Sequence, residues 1–148
     1  MAGQRPTLIG IPWDANSSFL RGAAGAAPPV REALFSPASN MWTEFGVDLG
    51  APGRLADACD LVLPDSADAI GIIEGAVGLL LEDGGAPIAI GGDHAVTYPI
   101  LRAIGRRHPG LTILHVDATS PTGATALYES VGMVADSETV VFHRALFR

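Results

Sequence analysis

The sequence predicts an α/β domain built on a mostly parallel sheet with helices on both faces. Three observations carry this expectation. Short apolar runs at Thr7–Ile11, Pro87–Ile90 and Leu111–Val116 are each stopped by a turn or a polar residue. Between them lie segments whose apolar residues recur at helical spacing. The last two runs flank one such segment, and a strand–helix–strand order implies a parallel pair, because only a long crossover returns the chain in the same direction.

Taken in order, Thr7–Ile11 (TLIGI) is a β-prone run ended by Pro12. Trp13 to Ala27 is rich in Ser, Gly and Ala and reads as a loop. Pro28 and Pro29 lead into a short helix over VREALF, since proline suits a first turn whose N–H groups have no helical partner to lose. Ser36 to Trp42 is a further loop, and Val47–Leu49 and Leu61–Leu63 read as short strands. Ser66 is placed to cap the next helix, in which Ile70, Ile73, Val77, Leu80 and Leu81 share one face. Gly71, Gly75 and Gly78 form a second stripe on that helix and predict close packing against a sheet. After the Gly84-Gly85 turn, Pro87–Ile90 (PIAI) has the pattern of a buried strand and runs into Gly91-Gly92-Asp93-His94. Thr97 is expected to cap a helix with Pro99 in its first turn, ending near Arg107 before His108-Pro109-Gly110. Leu111–Val116 (LTILHV) is the second buried strand of the unit and closes at Asp117. From Thr119 the sequence turns to TSPTGATALYES, a turn-rich stretch.

Composition bounds the function. A chain of 148 residues, 48% hydrophobic and 17% charged, suits a single compact domain over residues 1–148. The net charge of −7 argues against a nucleic-acid backbone or an anionic membrane as partner and is compatible with a cationic guanidine or amine. The lone Cys59 makes no intrachain disulfide, reads as a small semi-buried apolar residue and fits a reducing cytoplasm. Pro12 breaks the amino-terminal apolar stretch, which is no signal-peptide core. The longest apolar run, Ile70–Leu81, is interrupted by Glu74 and is too short to span a bilayer.

The residues with chemistry to offer stand at strand ends. Ligands of open parallel sheets sit beyond the carboxyl ends of the strands, and there His94 follows one expected strand while Asp117 closes its neighbour. A nitrogen and an oxygen donor converging from adjacent strands suit Mn, Zn or Fe. Gly91 and Gly92 permit a tight turn that aims His94 over the sheet edge, and Asp93 is placed to orient the imidazole as an acceptor behind it. Taken alone, a histidine after a strand is usually a helix-entry or surface residue, and an aspartate at a strand end is usually a cap. No nucleophile or general base is assigned.

Four stretches together resemble the ureohydrolase superfamily of arginase, agmatinase and formimidoylglutamase. GGDHAVTYPILRAI is similar to its Gly-Gly-Asp-His motif, and LHVDA to the start of its Asp-Ala-His-x-Asp motif. IGIPWDANSSFLRGAAGAAPPVREAL resembles its first strand, glycine-rich loop and Pro-x-x-Arg helix, and SNMWTEFGVDL followed by DACDL resembles agmatinase-like members. The resemblance covers about Thr7 to Ala118, with residues 119–148 divergent. It implies a three-layer α/β/α, arginase-like fold about twice as long, here truncated. It also implies two Mn ions that activate the attack of water on a guanidinium or amidine carbon. His94 and Asp117 are the positions that match metal ligands.

The departures fall on that metal site. The family's second motif would continue past Ala118 with His, any residue and Asp, whereas this chain has Thr119, Ser120 and Pro121. Threonine is a poor neutral ligand and proline offers none. The family's later Asp-x-Asp motif and downstream Glu have no match in the sequence, LYES at Leu127–Ser130 reads as a displaced remnant, and no spacing supports Asp136 or His143 as substitutes. The expectation is a Mn-dependent hydrolase of C–N bonds in linear amidines by descent, impaired or inactive in this chain and binding Mn weakly at most. The alternative is a non-catalytic α/β binding or interaction protein, forming a homo-oligomer or pairing with a full-length homologue through an uncovered edge. A nucleotide-binding reading is weak, because no G-x-G-x-x-G follows the first strand.

Overall fold

The computed structural model describes residues 4–110, which belong to one compact unit. The first strand, β1 (Arg5–Gly10), lies at the centre of a three-stranded sheet. On one side it pairs in parallel with β2 (Ala56–Asp60), on the other in parallel with β3 (Gly85–Ile90). The β1–β3 register is unbroken from Arg5↔Gly85 to Gly10↔Ile90, and the Ile11 amide extends it by donating to the Ile90 carbonyl at 2.9 Å. Thr7, Leu8, Ile9 and Gly10 are all buried. Successive residues of a strand point to opposite faces, so β1 is covered on both, as a TLIGI run requires.

The helices supply that cover. Helix α1 (Ala27–Leu34) opens on Pro28 and Pro29 as expected, with its one buried residue, Ala27, beside Gly10. A Cβ built on Gly10 would stand 3.0 Å from the Ala27 Cβ. Ile11 faces the other way, into a cluster with Ala69, Ile73, Val77 and Leu81 of α2 (Asp68–Glu82) and Ala103 of α3 (Thr97–Arg107). The α/β architecture with a parallel sheet and helices on both faces is therefore present in the described residues. Ile73 and Val77 are fully buried, each contributing roughly 1.5–3 kcal/mol by removal from water. Glu74, the charge that interrupts the apolar run, is buried too. Its carboxylate is paired with Arg106 at 2.7 Å and Arg102 at 3.5 Å, contacts that lock α2 to α3. The Arg106 contact lies off the hydrogen-bond direction and acts through charge.

Several expected elements differ. The second strand is Ala56–Asp60, not Leu61–Leu63; Leu61 and Leu63 instead pack part-buried against the core, the Leu61 amide donating to the Gly10 carbonyl at 2.9 Å. ADACD lacks strand propensity, but among the described residues β2 has one neighbour and an exposed surface, so its pairing owes little to apolar side chains. A register shift between Leu8 and Gly10 bulges β2, and Cys59 sits in it with φ +61°, exposed rather than semi-buried. Val47–Leu49 is one arm of a small turn closed by an antiparallel bridge between Trp42 and Asp48. PIAI is not fully buried: Ile88 and Ala89 are exposed. Gly71, Gly75 and Gly78 do not pack closely; among the described residues nothing lies within 4 Å of a Cβ built on any of them. Ser66 lies one residue before the N-cap of α2, which is Ala67, and its hydroxyl accepts from the Asp68 amide at 3.3 Å. The helix after β3 is entered earlier than expected, through a 3-10 turn over His94–Val96 capped by Asp93 rather than by Thr97. Leu111–Val116 and Asp117 lie outside the described residues. No helix among the described residues is long and apolar enough to cross a membrane.

Candidate functional site

The sheet order locates the site. From β1 the chain leaves to α1 on one face, and from β3 it leaves to α3, packed with α2 on the other. β1 and β3 are neighbours whose following helices lie on opposite faces of the sheet, so their carboxyl ends form its topological switch point, the crevice position of open α/β sheets. This reversal is where open α/β sheets bind ligands. The segments that border it are 11–26 after β1 and 91–96 after β3, the second carrying Gly91, Gly92, Asp93 and His94.

Hydrogen bonds knit the two segments together. The Gly92 amide donates to the Ala23 carbonyl and the Asp93 amide to the Trp13 carbonyl, both at 3.1 Å. In return the Asn16 amide donates to Asp93 Oδ2 at 2.8 Å, while Asp93 Oδ1 accepts from the Ala95 amide at 2.9 Å and caps the 3-10 turn. Glycine is required here for two reasons. Gly91 and Gly92 have φ of +88° and +84°, and a Cβ on Gly92 would come within 2.6 Å of Val96 Cγ1 and 2.9 Å of the Trp13 carbonyl. His94 opens the 3-10 turn at the lip of this platform, and its side chain is exposed.

The β1 segment has its own anchor. Asp14 is buried at 6% exposure. Its Oδ2 accepts from the amides of Gly22 at 2.6 Å and Ala24 at 3.2 Å, and its Oδ1 from Arg21 Nε at 3.1 Å. The Gly22 and Ala24 amides, foremost, hold the Asp14 carboxyl below the usual carboxylate range, with Arg21 adding to them. Arg21 reaches on to Asp65, at 2.7 and 3.3 Å, and so ties this segment to the one that follows β2. All three carboxyl-end segments are thus joined by side chains: β3 to β1 through Asp93, β1 to β2 through Arg21.

A second ion cluster lies between α1 and β2. Arg31 grips Asp57 with both arms of its guanidinium, at 2.7 and 3.0 Å, and also contacts Asp60. Here the Pro-x-x-Arg helix and the DACDL segment meet, and their charges fasten α1 to the exposed strand. The Arg31 hydrogen bond holds the Asp57 carboxyl below its ordinary range, and the Cys59 amide helps.

Of the expected site residues, the structure places His94 and Asp93 at the crevice, while Asp117 falls outside the described residues. Among the described residues no group of three or more His, Cys, Asp or Glu side chains is arranged to hold a metal ion. His94 suits Mn, Zn or Fe as one nitrogen donor, but one imidazole does not make a site. Asp14, Asn16, Arg21 and Asp65 escaped the sequence reading. An acid and a base seven residues apart inside a glycine-rich loop were the available signal for Asp14 and Arg21; no spacing announced Asp65.

Comparison with known proteins is consistent with this geometry. Residues 4–130 match the arginase family model. The chain belongs to the arginase family. The match runs beyond Ala118 and takes in Leu127–Ser130. Relatives include the mitochondrial Arginase 1 of Arabidopsis thaliana, 36% identical over an alignment 121 residues long that covers 76% of this chain and 35% of that protein. A guanidinopropionase of Pseudomonas aeruginosa is 38% identical over an alignment 118 residues long that covers 78% of this chain and 36% of that one. Among solved structures, the arginase from Medicago truncatula superposes with a TM-score of 0.76 at 28% identity, covering 88% of this chain and 48% of that one. The chain spans about a third of the length of these curated relatives. The arginase-like fold and the ureohydrolase family expected from the motifs are thereby established.

Proposed function

We propose that this arginase-family chain carries the His94 side of a Mn-dependent site for hydrolysing C–N bonds in linear guanidino or amidine compounds, and that by itself it turns over negligibly. The observation that carries the reading is the switch-point turn, where Gly91, Gly92 and Asp93 hold the His94 turn against the β1 segment. His94 and Asp117 would serve as metal ligands. Asp93 would orient the imidazole, since a carboxylate has lone pairs beyond the two amides it already accepts from. Manganese, when bound, supplies Lewis acidity toward an amidine carbon. The relatives' names, arginase, guanidinopropionase and agmatinase, support a guanidino substrate, and the net charge of −7 suits its cationic head. Thr119 and Pro121, where the second motif calls for His and Asp, argue for weak metal binding and an impaired site.

The test combines metal binding with turnover. Titrated with Mn, the purified chain should bind weakly, and His94→Ala should weaken binding further. Thr119→His with Pro121→Asp should tighten it, because each adds a donor. Urea and ammonia release from arginine, agmatine and guanidinopropionate should stay at background with excess Mn. Turnover that is substantial and vanishes in His94→Ala would overturn the impairment. Mn binding indifferent to His94 would overturn the site itself, and would favour the alternative of a non-catalytic partner for a homologue.

A further inference from the structure

The carboxylate of Asp14 is buried and takes three hydrogen bonds, two of them from amides at the start of a 3-10 turn over Ala23–Gly25. It accepts from the amides of Gly22 and Ala24, which flank Ala23 on both sides, and from the guanidinium of Arg21. Fixing both neighbours fixes the Ala23 peptide between them. The Ala23 carbonyl is the acceptor for the Gly92 amide, and the Trp13 carbonyl, one residue before Asp14, is the acceptor for the Asp93 amide. Ala23 also approaches Gly91, its carbonyl oxygen lying 3.3 Å from where a Cβ on that glycine would stand. The turn that presents His94 therefore rests on a backbone whose shape is set by a buried acid in another segment.

We propose that Asp14 is a positioning residue for the His94 turn, acting through the Gly22–Ala24 backbone to hold Gly92 and Asp93 in place. The proposal rests on the reading of this crevice as the site. It explains why an acid is buried in a glycine- and alanine-rich loop: glycine amides are mobile, and one carboxylate gathers two of them and orders the loop. Without it the Ala23 carbonyl is held only by the Ala26 amide of the 3-10 turn, and its bond from the Gly92 amide weakens.

Hydrogen exchange of the full 148-residue chain tests this, read amide by amide. In Asp14→Ala the Gly92 and Asp93 amides should exchange roughly five- to tenfold faster relative to the β1–β3 ladder amides, the size expected for losing one hydrogen bond. Asp14→Asn keeps an acceptor oxygen and should fall between, and it gives the same reading if Asp14→Ala does not fold. Asp57→Ala, which breaks the other carboxylate cluster, should leave the Gly92 and Asp93 rates relative to the ladder unchanged. Equal acceleration of ladder and turn in the Asp14 variants, or none at the turn, would overturn the proposal. Added Mn keeps the two ideas separable: failure to broaden the His94 imidazole signal in the wild-type chain would sink the metal reading of His94, while the exchange ratios still decide the role of Asp14.

Discussion

Glycine does opposite work in two regions of this protein. At the carboxyl ends of β1 and β3, Gly91 and Gly92 occupy left-handed backbone conformations, and no side chain fits at Gly92. On α2, Gly71, Gly75 and Gly78 lie on an ordinary helix with open space around them among the described residues. Both sets are conspicuous in the sequence, one as an adjacent pair and the other at helical spacing. Only the first is demanded by the structure, and it is the set beside the candidate site. Glycine spacing alone is therefore a poor guide to function; what the backbone must do at the position decides.

The largest effect expected from this comparison is at the crevice. Gly92→Ala forces a side chain into a left-handed conformation and against Val96 and the Trp13 carbonyl. It should cost roughly 2–4 kcal/mol of stability, combining backbone strain with overpacking. Urea denaturation checks this. A loss below about 1 kcal/mol would mean that the turn relaxes cheaply and is less tightly specified than its contacts indicate.

Acid sharpens a second contrast, between the crevice and the outer strand. Asp14 and Asp57 both have carboxyl groups held below their ordinary range, Asp14 by backbone amides first and Asp57 by Arg31 first. A depressed folded-state value means that each stabilises the fold above the unfolded-state value of about 3.9. That contribution is lost as pH falls through the lower folded values. Stability should thus be level from neutral to about pH 5 and drop below about pH 4. Asp14→Asn and Asp57→Asn should each flatten the drop, and Asp57→Asn should also leave Arg31 short of its bidentate partner at neutral pH. Urea midpoints at pH 7 and pH 3.5 give the comparison; an acid loss unchanged in both variants would place its origin in other carboxylates.

These contrasts show what the sequence made legible. β1 was readable because its apolar run is buried on both faces, and α3 because its breaker follows at His108-Pro109-Gly110. β2 was not, because a strand of Ala, Asp and Cys, with one neighbour among the described residues and held by Arg31, leaves no periodic apolar trace. The placement of His94 followed from the strand–turn order, which is local. The Asp14 anchor and the Arg21–Asp65 bridge depend on which loops meet, and that is set by strand order, a property no single stretch of residues encodes. The Gly-Gly-Asp-His stretch is legible as a motif, whereas its bonding to Trp13, Asn16 and Ala23 depends on a loop brought beside it by the β1–β3 pairing.

The smallest expected effect bears most directly on the comparison. Gly75 sits mid-helix and exposed in α2, beside exposed Ile72 and Leu79. If the surrounding space stays open in solution, Gly75→Ala meets no atom. It then gains the helix preference of alanine and lowers the entropy of the unfolded chain. Both effects have the same sign, and together they should stabilise the fold by roughly 0.5–1 kcal/mol. The urea midpoint should rise with an unchanged slope, since the surface exposed on unfolding hardly alters. The opposite result carries more information. Destabilisation would mean that this face of α2 is closely packed in solution against something that a methyl group displaces. Light scattering on the wild type and Gly75→Ala would then show whether that something is a second copy: a wild-type dimer that dissociates in the variant would restore the close-packing reading of the stripe, moved from the sheet to a subunit interface.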